Sequence, residues 1–528
     1  MSTKRSQKRS QFFFLVALFL LCLIAAFLFW YTTPYGLGLT NDSAAYLGGA
    51  RSLSAGLGYA RISGDKLPRL ITHFPPVYSL LISGLSQIAR VDVFKAAWLI
   101  NFFCYVLNLL LFAGLLRLLT GRNAAAILGG VCYFCAGPVL QSHIYGLSEA
   151  VFLTFFLLSL ILILTNTQIE RAGLRWFLTG LFIGILTLTR FIGGATLLVA
   201  LAFILYVYPR GRQQRNALFA MLAGTGIPLA LWILRNRLAG ENAVNRTLSW
   251  HWPAQDKITE GFLNFWGFFL PEFGGLVEKL LPLWTALFLL ILSAGVVWIL
   301  QAFFRRFHKE TKSIPDGLFL IALQALAYFL SVVFVVVCID GSTLFDNRIF
   351  MPLYVSLTAV LLTGIFSLGW TVGKVGKRSK IRAVLTGFVL LFALVLFEDT
   401  FDLIRTWHRD GQGFAGESWR ESETRHAAEA LPDEAILFSN RQTFLWLMND
   451  QPSYILPPMF NAANQNERDS FTAEKDWMTQ ETLKGKAYVI IFNYQEMMVD
   501  TGDRAWLELL LDDLPLYGTY TDGVIFGQ

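Results

Sequence analysis

The feature that most constrains this chain is a repeated apolar run of about 20 residues, the length that crosses a bilayer as a helix. The first run, Phe12 to Tyr31, follows a basic N-terminal flank and has no clear small-residue cleavage site. We interpret it as an uncleaved first transmembrane helix with the N-terminus in the cytoplasm. Of 528 residues, 55% are hydrophobic and 15% charged, which excludes a soluble globule and predicts a polytopic membrane protein.

The topology depends on the segment Val77 to Ala89, which is apolar but only about 13 residues long, short of a span. If it does not cross, every later basic cluster faces the cytoplasm, in accord with the positive-inside tendency; if it crosses, all of them face outside. We therefore expect an interfacial helix on the outer leaflet. The clusters are Arg117/Arg122, Arg171/Arg175, Arg210/Arg212/Arg215, Arg305/Arg306/Lys309/Lys312 and Lys374/Lys377/Arg378/Lys380/Arg382.

This choice gives about eleven transmembrane helices, with the N-terminus inside and the C-terminus outside. It leaves a first outer loop at 32–95 and a middle outer segment at about 236–280, whose tryptophans predict that it skims the membrane and roofs a cavity. The predicted spans are 12–31, 96–116, 124–140, 147–165, 174–189, 191–208, 216–235, 281–303, 317–338, 349–371 and 382–398.

The composition changes near residue 399 to that of an ordinary soluble domain. Residues 435–439, 487–492 and 523–526 are typical of short strands, and residues 419–430 and 503–513 have helical patterning. We expect an all-α transmembrane domain at 1–398 and a small outer α/β domain at 399–528.

The charge distribution and the cysteine content argue against a nucleic-acid-binding protein and against a disulfide-stabilised one. The formal net charge of +6 comes from short clusters between apolar runs, which is typical of orientation signals, so we expect no nucleic-acid partner. The five cysteines lie in or beside apolar runs and imply no disulfide framework. Cys132 and Cys135 form a CxxC without companion ligands, which favours packing residues over a metal site.

Ionisable groups are expected to converge at the outer helix ends, where burying charge near lipid is costly and usually functional. Asp42 is the best candidate for a general base, because a carboxylate at a helix exit can take a proton from a hydroxyl. It can also serve as N-cap of the helix-like stretch 44–53, and the two roles are compatible. The converging groups are Asp42, His73, Glu149, Arg190, Asp340, Asp346 and Arg348.

Cations near this group are candidates for gripping a phosphate: Arg190 and Arg348 as bidentate forks and Lys66 as a point charge, with Arg69 close to Lys66 in the chain. Alternatives remain for each arginine, namely a salt bridge from Arg348 to Asp346 or Asp340, and interfacial snorkelling of Arg190. His73 can position an acceptor or a phosphate oxygen or be structural, and Glu149 can bind substrate or begin the fourth span.

Five short motifs, in this order, resemble those of the GT-C fold, the polyprenyl-phosphate-sugar-dependent glycosyltransferases of the protein mannosyltransferase and aminoarabinose transferase type. The resemblance covers roughly residues 12–370. Lysine precedes the two prolines in the aminoarabinose branch, whereas this chain has Phe74, which does not favour aminoarabinose transfer to lipid A. The motifs are Thr40-Asn41-Asp42-Ser43-Ala44-Ala45-Tyr46, Phe74-Pro75-Pro76-Val77-Tyr78-Ser79-Leu80-Leu81, Leu147-Ser148-Glu149-Ala150, Leu188-Thr189-Arg190-Phe191-Ile192-Gly193 and Asn347-Arg348-Ile349-Phe350-Met351-Pro352.

The resemblance implies that Asp42 is the catalytic carboxylate and that Arg190 and Arg348 hold the lipid phosphate. It implies a multi-pass protein of the bacterial inner membrane that transfers sugar, with inversion, from a polyprenyl-phosphate donor to a glycan, lipid or protein hydroxyl on the extracytoplasmic face. A divalent metal is compatible with this reaction but not required, since no ligand cluster is evident. The alternatives are a lipid-linked sugar flippase, which predicts polar groups near mid-membrane, and an assembly protein acting through its C-terminal domain.

Overall fold

The computed structural model describes residues 2–166, 173–240, 248, 250, 252–269, 274–307, 316–341, 343–368, 375–460 and 466–528. Within these ranges, eight helices are long and apolar enough to cross a membrane, or nine if one bent pair counts as a single span. The chain is a polytopic membrane protein whose helices dominate the fold. The number of spans and their direction across the membrane stay predictions.

Short helices and a hairpin follow the first helix in residues 33–92, which we call the outer segment after the side of the membrane predicted for it. The helix at the start of the outer segment continues through a π-helical turn at Ala44–Gly48, and a short antiparallel hairpin follows it. The predicted helix at 77–89 is confirmed as a helix with these bounds. The elements are α1 (Ser2–Thr32), α2 (Asn41–Ser43), α3 (Gly49–Ser54), β1 (Ala60–Ile62), β2 (Pro68–Leu70) and α4 (Val77–Ala89).

Helices coincide with all of the predicted spans, although the span predicted at 124–140 is two helices bent by 66° around Ala136. The end of the span predicted at 349–371 lies outside the described residues, as do Arg171, Lys309, Lys312 and Lys374. The helices are α5 (Val93–Thr120), α6 (Asn123–Cys135), α7 (Gly137–Ile144), α8 (Glu149–Asn166), α9 (Gly173–Thr187), α10 (Gly194–Val207), α11 (Arg212–Leu238), α12 (Gln255–Gly267), α13 (Gly274–Lys279), α14 (Leu281–Phe307), α15 (Asp316–Cys338), α16 (Asn347–Leu368) and α17 (Val375–Asp410).

The short helix α9 is stabilised by an unusually close approach to α11. A Cβ on Gly180 would lie 2.1 Å from the carbonyl oxygen of Met221, and Thr225 Oγ1 donates to the Gly180 carbonyl at 3.0 Å. Small residues let helix backbones meet where lipid supplies no hydrophobic driving force. This packing fixes the end of α9 from which Arg190 extends.

A buried amide on α5 joins that helix to α4 and to the end of α7. Asn101 on α5 accepts a hydrogen bond from Tyr78 on α4 at 2.9 Å, and it donates to the carbonyls of His143 and Tyr145 at 2.8 and 2.7 Å. Asn101 is completely buried, and its partners satisfy its donors and its acceptor. The network therefore fixes α4 against the loop that leads into α8.

The C-terminal region forms a five-stranded sheet in the order β4-β3-β5-β7-β6, with fully buried β5 at its centre. The strands predicted at 435–439, 487–492 and 523–526 are confirmed to within one residue, while β4 and β6 were not predicted. Helix α17 extends past residue 398 to Asp410. The remaining elements are α18 (Glu417–Arg420), α19 (Glu423–Glu429), β3 (Ile436–Ser439), α20 (Gln442–Asn449), β4 (Tyr454–Ile455), α21 (Phe471–Leu483), β5 (Ala487–Phe492), α22 (Tyr494–Val499), α23 (Thr501–Leu511), β6 (Leu516–Tyr520) and β7 (Gly523–Phe526).

The segment predicted to roof a cavity contains α12, while residues 241–247, 249, 251 and 270–273 lie outside the described residues. Lys257 Nζ donates to the Gly341 carbonyl at 2.6 Å, and Asn264 Nδ2 donates to the Phe345 carbonyl at 2.8 Å. Helix α12 therefore holds the loop between α15 and α16. The roof itself stays a prediction.

Candidate active site

A cavity of about 690 Å³ opens between the outer segment and the ends of α8, α9, α15 and α16. Six of the seven ionisable groups predicted to converge line it, all except Asp346. Its polar lining consists of Thr40, Asn41, Asp42, Tyr46, His73, Glu149, Arg190, Tyr328, Asp340, Thr343 and Arg348.

Asp42 is placed by the way its helix begins. Thr40 is the N-cap of α2, and its backbone N–H donates to Ser43 Oγ at 2.9 Å. The interpretation of Asp42 as the N-cap is therefore wrong: it is the second residue of the helix. Its carboxylate, about half exposed, lines the cavity instead of closing the helix end.

Arg348 lies beside Asp42 in the cavity lining. Its Nη1 lies 3.5 Å from Asp42 Oδ2, longer than a direct hydrogen bond, while its Nε donates to Asp346 Oδ2 at 2.8 Å. Asp346 also accepts from the backbone N–H of Ile349 at 3.0 Å, as an N-terminal cap of α16. The predicted salt bridge of Arg348 to Asp346 is thus confirmed, and it directs the guanidinium toward the cavity.

Glu149 and Arg190 form a second pair, in direct contact through Glu149 Oε1 and Arg190 Nη1. Glu149 is the first residue of α8 and is only 3% exposed, and its Oε2 has no hydrogen-bond partner among the described residues. The Arg190 side chain is 25% exposed. Arg190 is therefore not a snorkelling side chain at a lipid surface, because it neutralises a buried carboxylate at the cavity wall.

The diproline segment is tied to the turn that carries Arg190. The backbone N–H of Val77 donates to the Leu188 carbonyl at 3.1 Å, and the Gly193 N–H donates to the Arg190 carbonyl at 2.8 Å. The ring centroids of His73 and Phe74 lie 4.7 Å apart, and Phe74 packs edge-to-face on Tyr46 at 5.3 Å. The motif around the two prolines thus forms one wall of the cavity.

Two tyrosines in the cavity lining were not among the predicted site residues. Tyr46 accepts a hydrogen bond from Ser148 Oγ at 3.1 Å, and Tyr328 donates to the Ile349 carbonyl at 3.0 Å. Burial raises the pKa of Tyr46 to about 12, so this phenol stays neutral at physiological pH. Aromatic residues in apolar stretches are typical of core packing, and the one available signal was the position of Tyr46 four residues after Asp42.

Lys66 and Arg69 lie elsewhere. Lys66 Nζ donates to the Asp433 carbonyl in the C-terminal region at 2.6 Å, and Arg69 pairs with Asp65 in the β1–β2 hairpin. Neither lines the cavity. Their predicted contact with a donor phosphate therefore gains no support from the geometry.

The described part of the chain contains no group of three or more His, Cys, Asp or Glu side chains that could hold a metal ion. Cys132 and Cys135 are buried free thiols.

No protein-family profile and no curated protein matches this chain. Among solved structures, it is similar to ArnT from Cupriavidus metallidurans bound to undecaprenyl phosphate, at 13% identity and a TM-score of 0.54, over 96% of this chain and 97% of ArnT. It is also similar to the Archaeoglobus fulgidus oligosaccharyltransferase in complex with Zn and sulfate, at 14% identity and a TM-score of 0.54, over 96% and 73%.

A third similar structure is the mycobacterial arabinofuranosyltransferase AftD, at 14% identity and a TM-score of 0.50, over 90% of this chain and 35% of AftD. These neighbours share one architecture. The chain has the GT-C fold. The similarity to ArnT extends over 96% of this chain, and the cavity around Asp42 lies at one end of the helix bundle.

Proposed function

We propose that this chain is an integral-membrane glycosyltransferase that moves a sugar from a polyprenyl-phosphate donor to a hydroxyl of a glycan, lipid or protein acceptor. The observation that carries the proposal is the cavity itself, whose lining includes the Asp42 carboxylate beside Arg348 together with the Glu149–Arg190 pair. The GT-C fold, which this chain shares with ArnT bound to undecaprenyl phosphate and with an oligosaccharyltransferase, supports the same class.

The first step of the mechanism is removal of a proton. Asp42 takes the proton of the acceptor hydroxyl, and the oxygen attacks the anomeric carbon from the face opposite the phosphate. The bond between the anomeric carbon and the phosphate oxygen breaks, and the polyprenyl phosphate leaves with the electron pair. A single attack from the opposite face inverts the anomeric configuration.

The guanidinium groups stabilise the leaving phosphate. The two described contacts of Arg348 use Nε and Nη1 of a group that has five N–H donors, and the contact with Asp42 is a loose one. An incoming phosphate oxygen can replace that contact, which leaves the Asp42 carboxylate able to accept a proton.

The rival flippase hypothesis expects functional polar groups near the middle of the spans. Asp42, Glu149 and Arg348 each lie in the first turn of their helix, and Asp340 follows the end of α15. This distribution favours chemistry at one end of the helix bundle. We propose that this end faces the extracytoplasmic side of a bacterial inner membrane, in agreement with the positions of the basic clusters.

The test is sugar transfer by the full-length protein in nanodiscs, with labelled polyprenyl-phosphate sugars as donors and envelope glycan extract as acceptor. Asp42→Asn is expected to lower the rate by about 10³-fold, the size of a general-base contribution. Asp65→Asn, a carboxylate of the same outer loop outside the cavity, is the matched control and is expected to be as active as wild type. Transfer retained by Asp42→Asn would refute the role of Asp42, and absence of turnover with every lipid-linked donor would favour transport.

A further inference from the structure

The outer segment that carries Asp42 is held by the C-terminal region along its length. The backbone N–H of Phe414 donates to the Leu39 carbonyl at 2.9 Å, and Thr443 Oγ1 donates to Asn41 Oδ1 at 2.5 Å. Farther along, Arg51 Nη1 pairs with Asp450 Oδ1 at 2.6 Å. Contacts from the C-terminal region therefore lie on both sides of Asp42 in the chain.

The tightest of these contacts joins Trp446 of α20 to Gly48 at the end of the π-helical turn. A Cβ on Gly48 would lie 1.9 Å from Trp446 Cη2, so the indole ring rests directly on the backbone. Gly48 is buried and Trp446 is 6% exposed. Any larger residue at position 48 must displace either the ring or the turn.

Helix α20 is itself firmly anchored to the C-terminal sheet. Its Phe444 is completely buried and lies against Phe414, Trp419 and Phe492, with ring centroids 5.1, 4.6 and 5.3 Å away. Phe492 belongs to the central strand β5. A helix fixed in this way transmits the position of the sheet to the segment on which it rests.

The Asp42 carboxylate has weak anchorage of its own, because its ionic contact with Arg348 is 3.5 Å long. Its position is therefore set by the backbone of residues 39–48. We propose that α20, through Thr443 and Trp446, is a positioning element that fixes the Asp42 carboxylate against the substrate. The inference rests on the proposed function and gives the C-terminal region a role in the transfer step.

The first experiment removes one hydroxyl outside the cavity. Thr443→Val in the full-length protein is expected to lower kcat about fivefold, the effect of one modest hydrogen bond, with the Kd for polyprenyl phosphate unchanged. Thr443→Ser restores the hydroxyl and is expected to restore kcat. Thr472→Val, the same change at an exposed threonine on α21, is the control. Asn41 is left unaltered because it lines the cavity.

The second experiment tests transmission through the ring. Gly48→Ala is expected to lower kcat by up to about 100-fold, since a shift of about 1 Å in a reacting group has this cost. Trp446→Phe shortens the ring at the point of contact, so the double variant Gly48→Ala/Trp446→Phe is expected to recover at least half of the lost activation free energy. A recovery of this size would show that the effects of the two substitutions are not additive, as expected for two residues in direct contact.

The outcomes are distinguishable from failure of the proposed function. If wild type transfers no sugar from any donor, the proposed function fails. If wild type is active and Thr443→Val, Gly48→Ala and wild type share the same kcat, the positioning role of α20 is refuted. A higher Kd for polyprenyl phosphate with an unchanged kcat would also refute this role, because a positioning element acts on the chemical step.

Discussion

Two pairs of a carboxylate and a guanidinium, one at the cavity and one on the β1–β2 hairpin, have different surroundings. In the cavity lining, Glu149 and Arg190 are 3% and 25% exposed. On the hairpin, Asp65 and Arg69 are 24% and 59% exposed. The charged groups are the same in both places, but the amount of water around them differs.

Burial is the difference that matters chemically. In the cavity, removing water strengthens every electrostatic interaction, so a carboxylate and a guanidinium can act on a bound phosphate or hydroxyl. On the hairpin, water and salt screen the pair, which contributes little to stability or to substrate binding. The same kind of substitution should therefore have a large effect at the cavity and a small one on the hairpin.

The largest effect is expected at the buried pair. Glu149→Ala leaves the Arg190 guanidinium without its partner at the cavity wall, and the free energy of unfolding should fall by about 3–5 kcal/mol, the usual cost of breaking a buried pair. The measurement is equilibrium unfolding in mixed detergent micelles, together with sugar transfer.

The double variant Glu149→Leu/Arg190→Met separates stability from function. Replacing both members of a buried pair by apolar residues is often neutral for stability. Stability should return, while transfer stays low, because the variant lacks the guanidinium that we propose to contact the donor phosphate. Recovery of transfer along with stability would mean that the pair is purely structural.

The next largest effect is expected at Arg348. Arg348→Lys keeps the positive charge but removes the planar fork that Asp346 orients, so affinity for a polyprenyl phosphate should fall about tenfold. Binding of undecaprenyl phosphate to the protein in nanodiscs measures this change. An affinity equal to that of wild type would place the phosphate elsewhere and remove Arg348 from the site.

Sequence patterns predicted the parts of the fold that depend on local order. Apolar runs placed helices at every predicted span, and three strands of the C-terminal sheet were predicted to within one residue. Strand β6 was missed because its burial does not alternate cleanly, and residues 516 and 517 are both exposed. The bend at Ala136 had a local signal in Gly137-Pro138, and it was missed because the otherwise apolar run from 124 to 140 was read as one span.

The residues of the site were more predictable than their pairing. As expected, Asp42, His73, Glu149, Arg190, Asp340 and Arg348 line one cavity, and the pairing of Arg348 with Asp346 was foreseen. The pairing of Glu149 with Arg190 joins positions 41 residues apart, and no local pattern encodes it. Capping was misassigned because Thr40, Asn41, Asp42 and Ser43 are all good N-cap residues, and tertiary contacts decide among them.

The smallest effect is expected on the hairpin, and it is the most direct test of the contrast between the two pairs. Arg69→Ala removes a guanidinium, the group that Arg348 also carries, from the loop that contains Asp42. Its partner Asp65 remains in contact with water after this change. Transfer rate and polyprenyl-phosphate affinity should stay within about twofold of the wild-type values, because exposed pairs contribute little. The melting temperature should equal that of wild type within experimental error. The same assays at low and high salt extend the test, since only screened, exposed charges should lose their influence as salt rises.

A tenfold loss of polyprenyl-phosphate affinity in Arg69→Ala would show that the hairpin moves over the cavity when the donor binds. In that case, the number of charges in the outer loop, and not their burial, would determine donor binding.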